Sequence, residues 1–410
     1  MLVLWPIIAY MGAQGYSGAI AIAGLLSIFF ARRPETDRVL LAGLGFTLWI
    51  VLAGFWGPET DGFFIGNLGA GSFSLDMPGF RFALTALAGL GIFVAVQSVS
   101  SGSSIRSLNV VAGASLVQFG GMLITALFMA QILALLAPIS HPVSEMPQNL
   151  MRNANAFLML LPFLLAWIWH RDDDPQWTYA SICLGVLSLV AFILKGTQTA
   201  LFGVILMIAA MAIVKRYPNK GFVILFRSLA AYVLASPILF AWLIPTLRDL
   251  GAPLPQSFFS RSYSWELVGQ KIADSPLIGH GLEASQSWRD TYGDHPEWLA
   301  DASARYGVEF AWEVYPVIPV HPHNMPLQIW AETGLIGAAL AAAFLFFLGS
   351  KLKSPSAWSP ISKYAAAGLI GACVAICSFA YSMWNEAFWA SVILAAAVVF
   401  VQARHDGQPA

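Results

Sequence analysis

HPHNMPLQIWAETGLIGAALAAAFLFFLGSK, residues 321–351, decides the fold. From Met325 to Leu348 its one ionisable side chain is Glu332, and the rest is almost wholly apolar. The hydrocarbon core of a bilayer is about 30 Å thick, so a helix crossing it needs roughly 20 such residues. The apolar run is continuous rather than alternating, which in lipid points to a helix whose backbone groups are satisfied internally. Its polar residues gather at the N-terminal end, where Asn324 suits an N-cap and Pro326 a first helical turn.

Similar runs recur along the 410 residues. Twelve spans are expected, over 2–14, 16–31, 38–56, 80–98, 106–136, 153–170, 177–194, 198–214, 221–245, 325–348, 362–384 and 386–403. The Met11–Ser17 break between the first two is short enough to be a kink in one helix. The whole chain is 58% hydrophobic and 10% charged, against about 45–50% and about 25% in soluble proteins. The expected fold is therefore an all-α, polytopic membrane protein. The first apolar run starts at Leu2 with no basic region before it, so no cleavable signal is expected. A net charge of −1 excludes strong bulk attraction to nucleic acid. Cys183, Cys373 and Cys377 lie in apolar runs without zinc spacing, and Cys373 and Cys377, four apart on one helix face, are read as packing residues.

Basic residues set the orientation. With a cytoplasmic N-terminus, the inner loops and adjoining span ends hold thirteen of them, among them Arg32, Arg33, Lys215, Arg216, Lys351 and Arg404. The other eight face outward, five of them within 247–325. Three parts result: residues 1–246 with about nine spans, an outward segment 247–325, and 326–410 with about three. The outward segment is charged and aromatic, so it can order itself against the bundle. A second outward loop, 57–79, is Gly-rich and acidic.

The densest polar cluster sits where the long segment re-enters the membrane. His323 at the mouth of a helix can exchange protons near neutral pH and act as a general base. Glu332 lies roughly 9 Å further along a straight helix, and an ionisable group at that depth is a functional candidate. The residues alone equally allow a capping asparagine, a solvated histidine and a structurally paired glutamate. His280, within Gly-His-Gly, and the Asp294–His295 pair read as loop residues. Trp288, Trp298, Tyr306, Phe310, Trp312 and Tyr315 could stack on sugar rings or sit in an interfacial belt.

H-N-x-x-L-Q-x-x-x-E-x-G-x-x-G, carried by His323, Asn324, Leu327, Gln328, Glu332, Gly334 and Gly337, resembles the signature of the O-antigen ligase and polymerase superfamily. The HPHN form is more similar to the ligase branch. Arg261, Trp265 and SPLIGHGLEAS (275–285) resemble that family's R-x-x-x-W and P-L-x-G-x-G, and RNANAFLMLLP (152–162) its outer-face asparagine motif. KGTQTAL (195–201) departs from it, with Gln198 at the usual basic position and Lys195 the nearby cation.

The resemblance implies a glycosyltransferase of the GT-C type in the bacterial inner membrane, with its active site facing the periplasm. It would take glycan from an undecaprenyl diphosphate carrier to a lipid A–core sugar or similar glycan acceptor, without a metal or other cofactor. A leaving lipid diphosphate needs fixed positive charge, which arginine supplies best. Arg261, one turn before Trp265, is the first candidate and Arg152, beside Asn153 and Asn155, the second; Arg81 is a third. His323 and Arg261 are thus the expected catalytic pair. Arg152, Asn155, Lys195, Trp265, His321, Asn324, Glu332 and Arg81 are expected around the substrates. A polymerase of the same superfamily shares donor and fold. A flippase or transporter would more often show broken helices in matching halves, and the sequence shows no sign of one.

Overall fold

The computed structural model describes residues 14–27, 29–30, 36–57, 77–97, 101–136, 146–169, 174–251, 255–307, 312–353 and 358–406. They form fourteen α-helices and no strand, apart from a lone bridge between Thr291 and Pro316. The helices are α1 (Gln14–Ser27), α2 (Arg38–Ala53), α3 (Pro78–Val96), α4 (Ser101–Leu127), α5 (Met129–Leu136), α6 (Met146–Trp169) and α7 (Pro175–Leu194). There follow α8 (Gln198–Arg216), α9 (Gly221–Asp249), α10 (Gln256–Asp274), α11 (Pro296–Tyr306), α12 (Met325–Lys351), α13 (Pro360–Phe379) and α14 (Glu386–Asp406).

Eight of them, α3, α4, α7, α8, α9, α12, α13 and α14, are long and apolar enough to cross a bilayer, and α1 and α2 are shorter apolar helices. The chain is a multi-pass membrane protein. Local sequence sets many of the starts: Asp37, Asp174, Ser359 and Asn324 each cap a helix with a side-chain oxygen, and Pro78, Pro175, Pro326 and Pro360 occupy first turns. Apolar side chains such as Ile238 and Trp242 face outward, as lipid requires. Contact within the bundle relies on small residues. α8 lies along α13, and Gly371 touches the backbone of Leu206.

Several boundaries differ from expectation. The span 2–14 and most of the loop 57–79 lie outside the described residues. The run expected over 106–136 is two helices, α4 and α5, parted at Phe128. The run expected over 362–384 stops at Phe379, and Ala380–Asn385 is a loop. Hydropathy did not separate that loop from its helices, because it is itself rich in aromatic and sulfur side chains.

Residues 256–307 and 312–324 fold against one end of the bundle. Phe259, Tyr263, Trp265 and Val268 of α10 pack with Phe240 and Ile244 of α9 and with Leu327 and Ala331 of α12. This apolar seam explains why so charged a segment is ordered. It also lays α10 beside the entrance of α12.

Candidate functional site

α12 is one assigned helix with a break inside it. Gly334 has φ 67° and ψ −170°, a conformation open essentially to glycine alone. The break frees backbone groups, and Pro276–Gly281 takes them up. His280 N–H donates to the Ala331 carbonyl and Gly281 N–H to that of Glu332, both at 2.9 Å. In return Leu335 N–H donates to the Pro276 carbonyl at 2.9 Å. A Cβ on Gly279 would collide with the Glu332 backbone, and one on Gly334 with the Leu277 carbonyl. The two glycine motifs are therefore halves of one joint, and the expectation of a straight, unbroken helix is corrected. We expect Gly334→Ala to cost about 2–6 kcal/mol in backbone strain and overpacking, read as a lowered Tm of the purified protein in detergent. An unchanged Tm would remove the joint's importance.

Glu332, just before the break, is fully enclosed. Its carboxylate accepts from Glu283 N–H and Ser285 Oγ, each at 2.7 Å, from Gln328 Nε2 at 3.1 Å and from Trp384 Nε1. Gln328 in turn donates to Ser382 Oγ at 3.0 Å and accepts from Met383 N–H at 2.9 Å. Together they clamp the 283–285 turn and the 382–384 loop to α12. Four donors on one carboxylate thus join the site's walls.

The histidine loop precedes α12. Trp265 Nε1 donates to the Pro322 carbonyl at 2.9 Å, and Asn324 Oδ1 accepts from Leu327 N–H at 3.1 Å. Both side chains are buried, and these bonds fasten the loop. Held at both ends, His323 takes φ 52°, a left-handed conformation uncommon outside glycine. Its Nδ1 lies 2.6 Å from the Ala380 carbonyl oxygen. The His321 ring is 4.1 Å away, centre to centre. Burial, then Arg261 and Arg152, hold His323 down to about 4, against the smaller raising effect of the Ala380 bond. Burial, His323 and the same two arginines hold His321 well below the ordinary histidine range.

The arginines thus converge on the histidines from α10 and from the first turns of α6. Arg261 is half-buried, and no hydrogen bond or ion pair joins it to another described residue. Burial lowers its pKa from the ordinary arginine value. Asn155, beside Arg152, lies near the hydroxyl of Tyr381. Lys195 Nζ donates to the Leu150 carbonyl at 2.7 Å, two residues before Arg152. Gln198 accepts from Ser257 Oγ at 2.9 Å, one turn before Arg261. The two residues of the departed motif therefore brace the helices that carry both arginines. Arg81 stands differently: it pairs with Glu386 at 2.8 Å and with Glu283 at 4.0 Å.

Reading the sequence missed the wall made by Ala380, Tyr381, Ser382 and Trp384. Its one signal was the polar Tyr-Ser and Asn-Glu pairs between two apolar runs. Other residues it singled out have structural roles. His280 Nε2 is 2.7 Å from the Lys271 carbonyl oxygen, Asp294 caps the turn at Thr291, and His295 stacks on Trp298. Trp298 and Trp312 pack on Tyr263 and Tyr292, and Phe310 lies outside the described residues. Cys373 and Cys377 pack with their sulfurs 3.8 Å apart. Among the described residues no three His, Cys, Asp or Glu side chains gather as metal ligands.

Comparison with known proteins finds similarity in the region that holds much of this site. Residues 183–342 match the model of a family described as O-Antigen ligase. A protein of Rickettsia bellii named "Putative polysaccharide ligase" is 31% identical over 86 residues, 21% of this chain and 18% of its own length. A Rickettsia conorii protein of like name is 29% identical over the same shares. One from Rickettsia felis is 26% identical over 129 residues, 30% of this chain and 28% of its own. The matches thus span less than a third of each relative. No solved structure matches. Residues 183–342, which hold Arg261, the histidine loop and the Gly334 joint, are thus the part of the chain similar to the O-Antigen ligase family.

Proposed function

We propose that this protein transfers a glycan from an undecaprenyl diphosphate carrier to a sugar hydroxyl of lipid A–core, or a similar acceptor, at the periplasmic face of the inner membrane. One observation carries the reading: a histidine with an unpartnered Nε2 lies in the field of two arginines, and one of these, Arg261, has no carboxylate partner among the described residues. The acceptor oxygen attacks the anomeric carbon while the bond to the diphosphate breaks. The hydroxyl proton passes to His323 Nε2, and the departing diphosphate carries the electron pair toward Arg261 and Arg152. In this reading residues 247–325 are periplasmic, and Asn155 and Lys195 support the Arg152 side of the site. Two arginines can supply the positive charge that a divalent metal would otherwise bring to a diphosphate, so in this reading transfer needs none.

A strain lacking the gene should accumulate long chains on the carrier and lose them from its surface. A single repeat left on the acceptor would assign polymerisation instead. The purified protein in liposomes should transfer lipid-diphosphate-linked glycan in EDTA. Activity that disappears there and returns with Mg²⁺ or Mn²⁺ would contradict the metal-independent step.

The pH dependence follows from the charges. His323 must be neutral to accept a proton, so transfer falls as pH drops through its pKa. That value is about 4 in the free protein, where burial and the arginines disfavour the imidazolium. A bound diphosphate opposes the arginines and raises it. Since kcat/KM reports the free enzyme and kcat the complex, the acid limb of kcat should lie at higher pH than that of kcat/KM. Coincident limbs would mean that the diphosphate does not bind beside His323.

A further inference from the structure

His321 and His323 stand side by side, yet their partners fix opposite tautomers. The Ala380 carbonyl, 2.6 Å from His323 Nδ1, can only accept, so Nδ1 carries the hydrogen and Nε2 the lone pair. The backbone N–H of His323, 3.2 Å from His321 Nδ1, can only donate, so that nitrogen keeps its lone pair. In the neutral His321 ring the hydrogen therefore sits on Nε2. No described residue bonds to the Nε2 of either ring.

The consequence is a division of labour within one tripeptide. His323 can take a proton at Nε2. His321 offers a hydrogen there, and protonating its Nδ1 would break the contact with His323. Burial and the surrounding His323, Arg261 and Arg152 keep His321 neutral. We propose that His321 is a catalytic hydrogen-bond donor, its Nε2–H given to a diphosphate oxygen of the glycan donor, and not a second base. An anionic oxygen is the suitable acceptor because both arginines act at this ring, and a hydrogen bond to a charged oxygen is about twice as strong as one between neutral groups. No proton leaves His321: the diphosphate departs with the electron pair of the broken bond and the hydrogen bond strengthens. The assignment rests on the transfer reaction proposed above.

Two measurements test it. Solid-state NMR of the ¹⁵N-histidine-labelled protein in bilayers near neutral pH should show His321 as the Nε2–H tautomer and His323 as the Nδ1–H tautomer. The signals are assigned by their loss in His321→Gln and His323→Gln. Finding His321 as Nδ1–H would overturn the proposal. Second, a glutamine amide can replace a hydrogen-bond donor but not a base. At matched protein levels His321→Ala should lose on the order of 10²-fold in transfer, and His321→Gln should stay within about tenfold of wild type. A fall in His321→Gln as deep as in His321→Ala would remove the donor role even with the tautomers as expected. If wild-type protein transfers nothing from a lipid-diphosphate glycan, the reaction and His321's part in it fail together, and the tautomers alone survive.

Discussion

Replacing His323 by Ala or Asn is expected to lower glycan transfer by roughly 10²–10⁴-fold, the usual contribution of a positioned general base, with protein present at normal amounts in the membrane. A sugar hydroxyl is a poor nucleophile, and the carbonyl partner of His323 fixes its free nitrogen as a lone pair. Asn is the sharper substitution, because it tolerates the positive φ of this position and leaves the loop's backbone in place. Trp265 still holds Pro322 and Asn324 still caps α12 in either variant. Loss therefore reports the imidazole rather than a collapsed loop. Near-wild-type transfer by His323→Asn would take base catalysis out of the mechanism and leave departure of the diphosphate, assisted by arginine, as its main term.

Arg261→Ala is the second large effect, expected at about 10²–10³-fold, as for loss of one donor that stabilises transition-state charge. Its guanidinium is half-buried without a carboxylate partner among the described residues, a costly state that a bound anion would relieve. Arg248 and Arg305, by contrast, are committed to Glu266 and Asp301. Arg261→Lys keeps the charge and loses the two-pronged fork, so it too should transfer poorly while the protein folds normally. Trp265 lies one turn on in the same helix and fastens the histidine loop whichever side chain stands at 261. If Arg261→Ala transfers at a near-normal rate in membranes, the diphosphate is held elsewhere and Arg152 becomes the leading candidate.

Sequence by itself determined that this chain is a bundle of membrane helices, because a 20-residue apolar run has few other ways to satisfy its backbone. It also determined the start of α12, since an Asn cap and a first-turn proline act locally, and it marked His323 and Arg261 by their motifs. Tertiary structure alone decided how those residues are held. The tautomer of His323 depends on a carbonyl at position 380, fifty-seven residues away, in a loop that hydropathy merged with its flanking helices. Glu332 reads as a candidate for chemistry, but its four hydrogen bonds come from residues 283, 285, 328 and 384. Gly334 breaks α12 because the Pro276–Gly281 turn supplies partners for the freed backbone groups, and no local pattern records a partner more than fifty residues upstream. Local chemistry fixes where helices begin and what faces lipid; the protonation and orientation of a side chain belong to whatever long-range packing sets beside it.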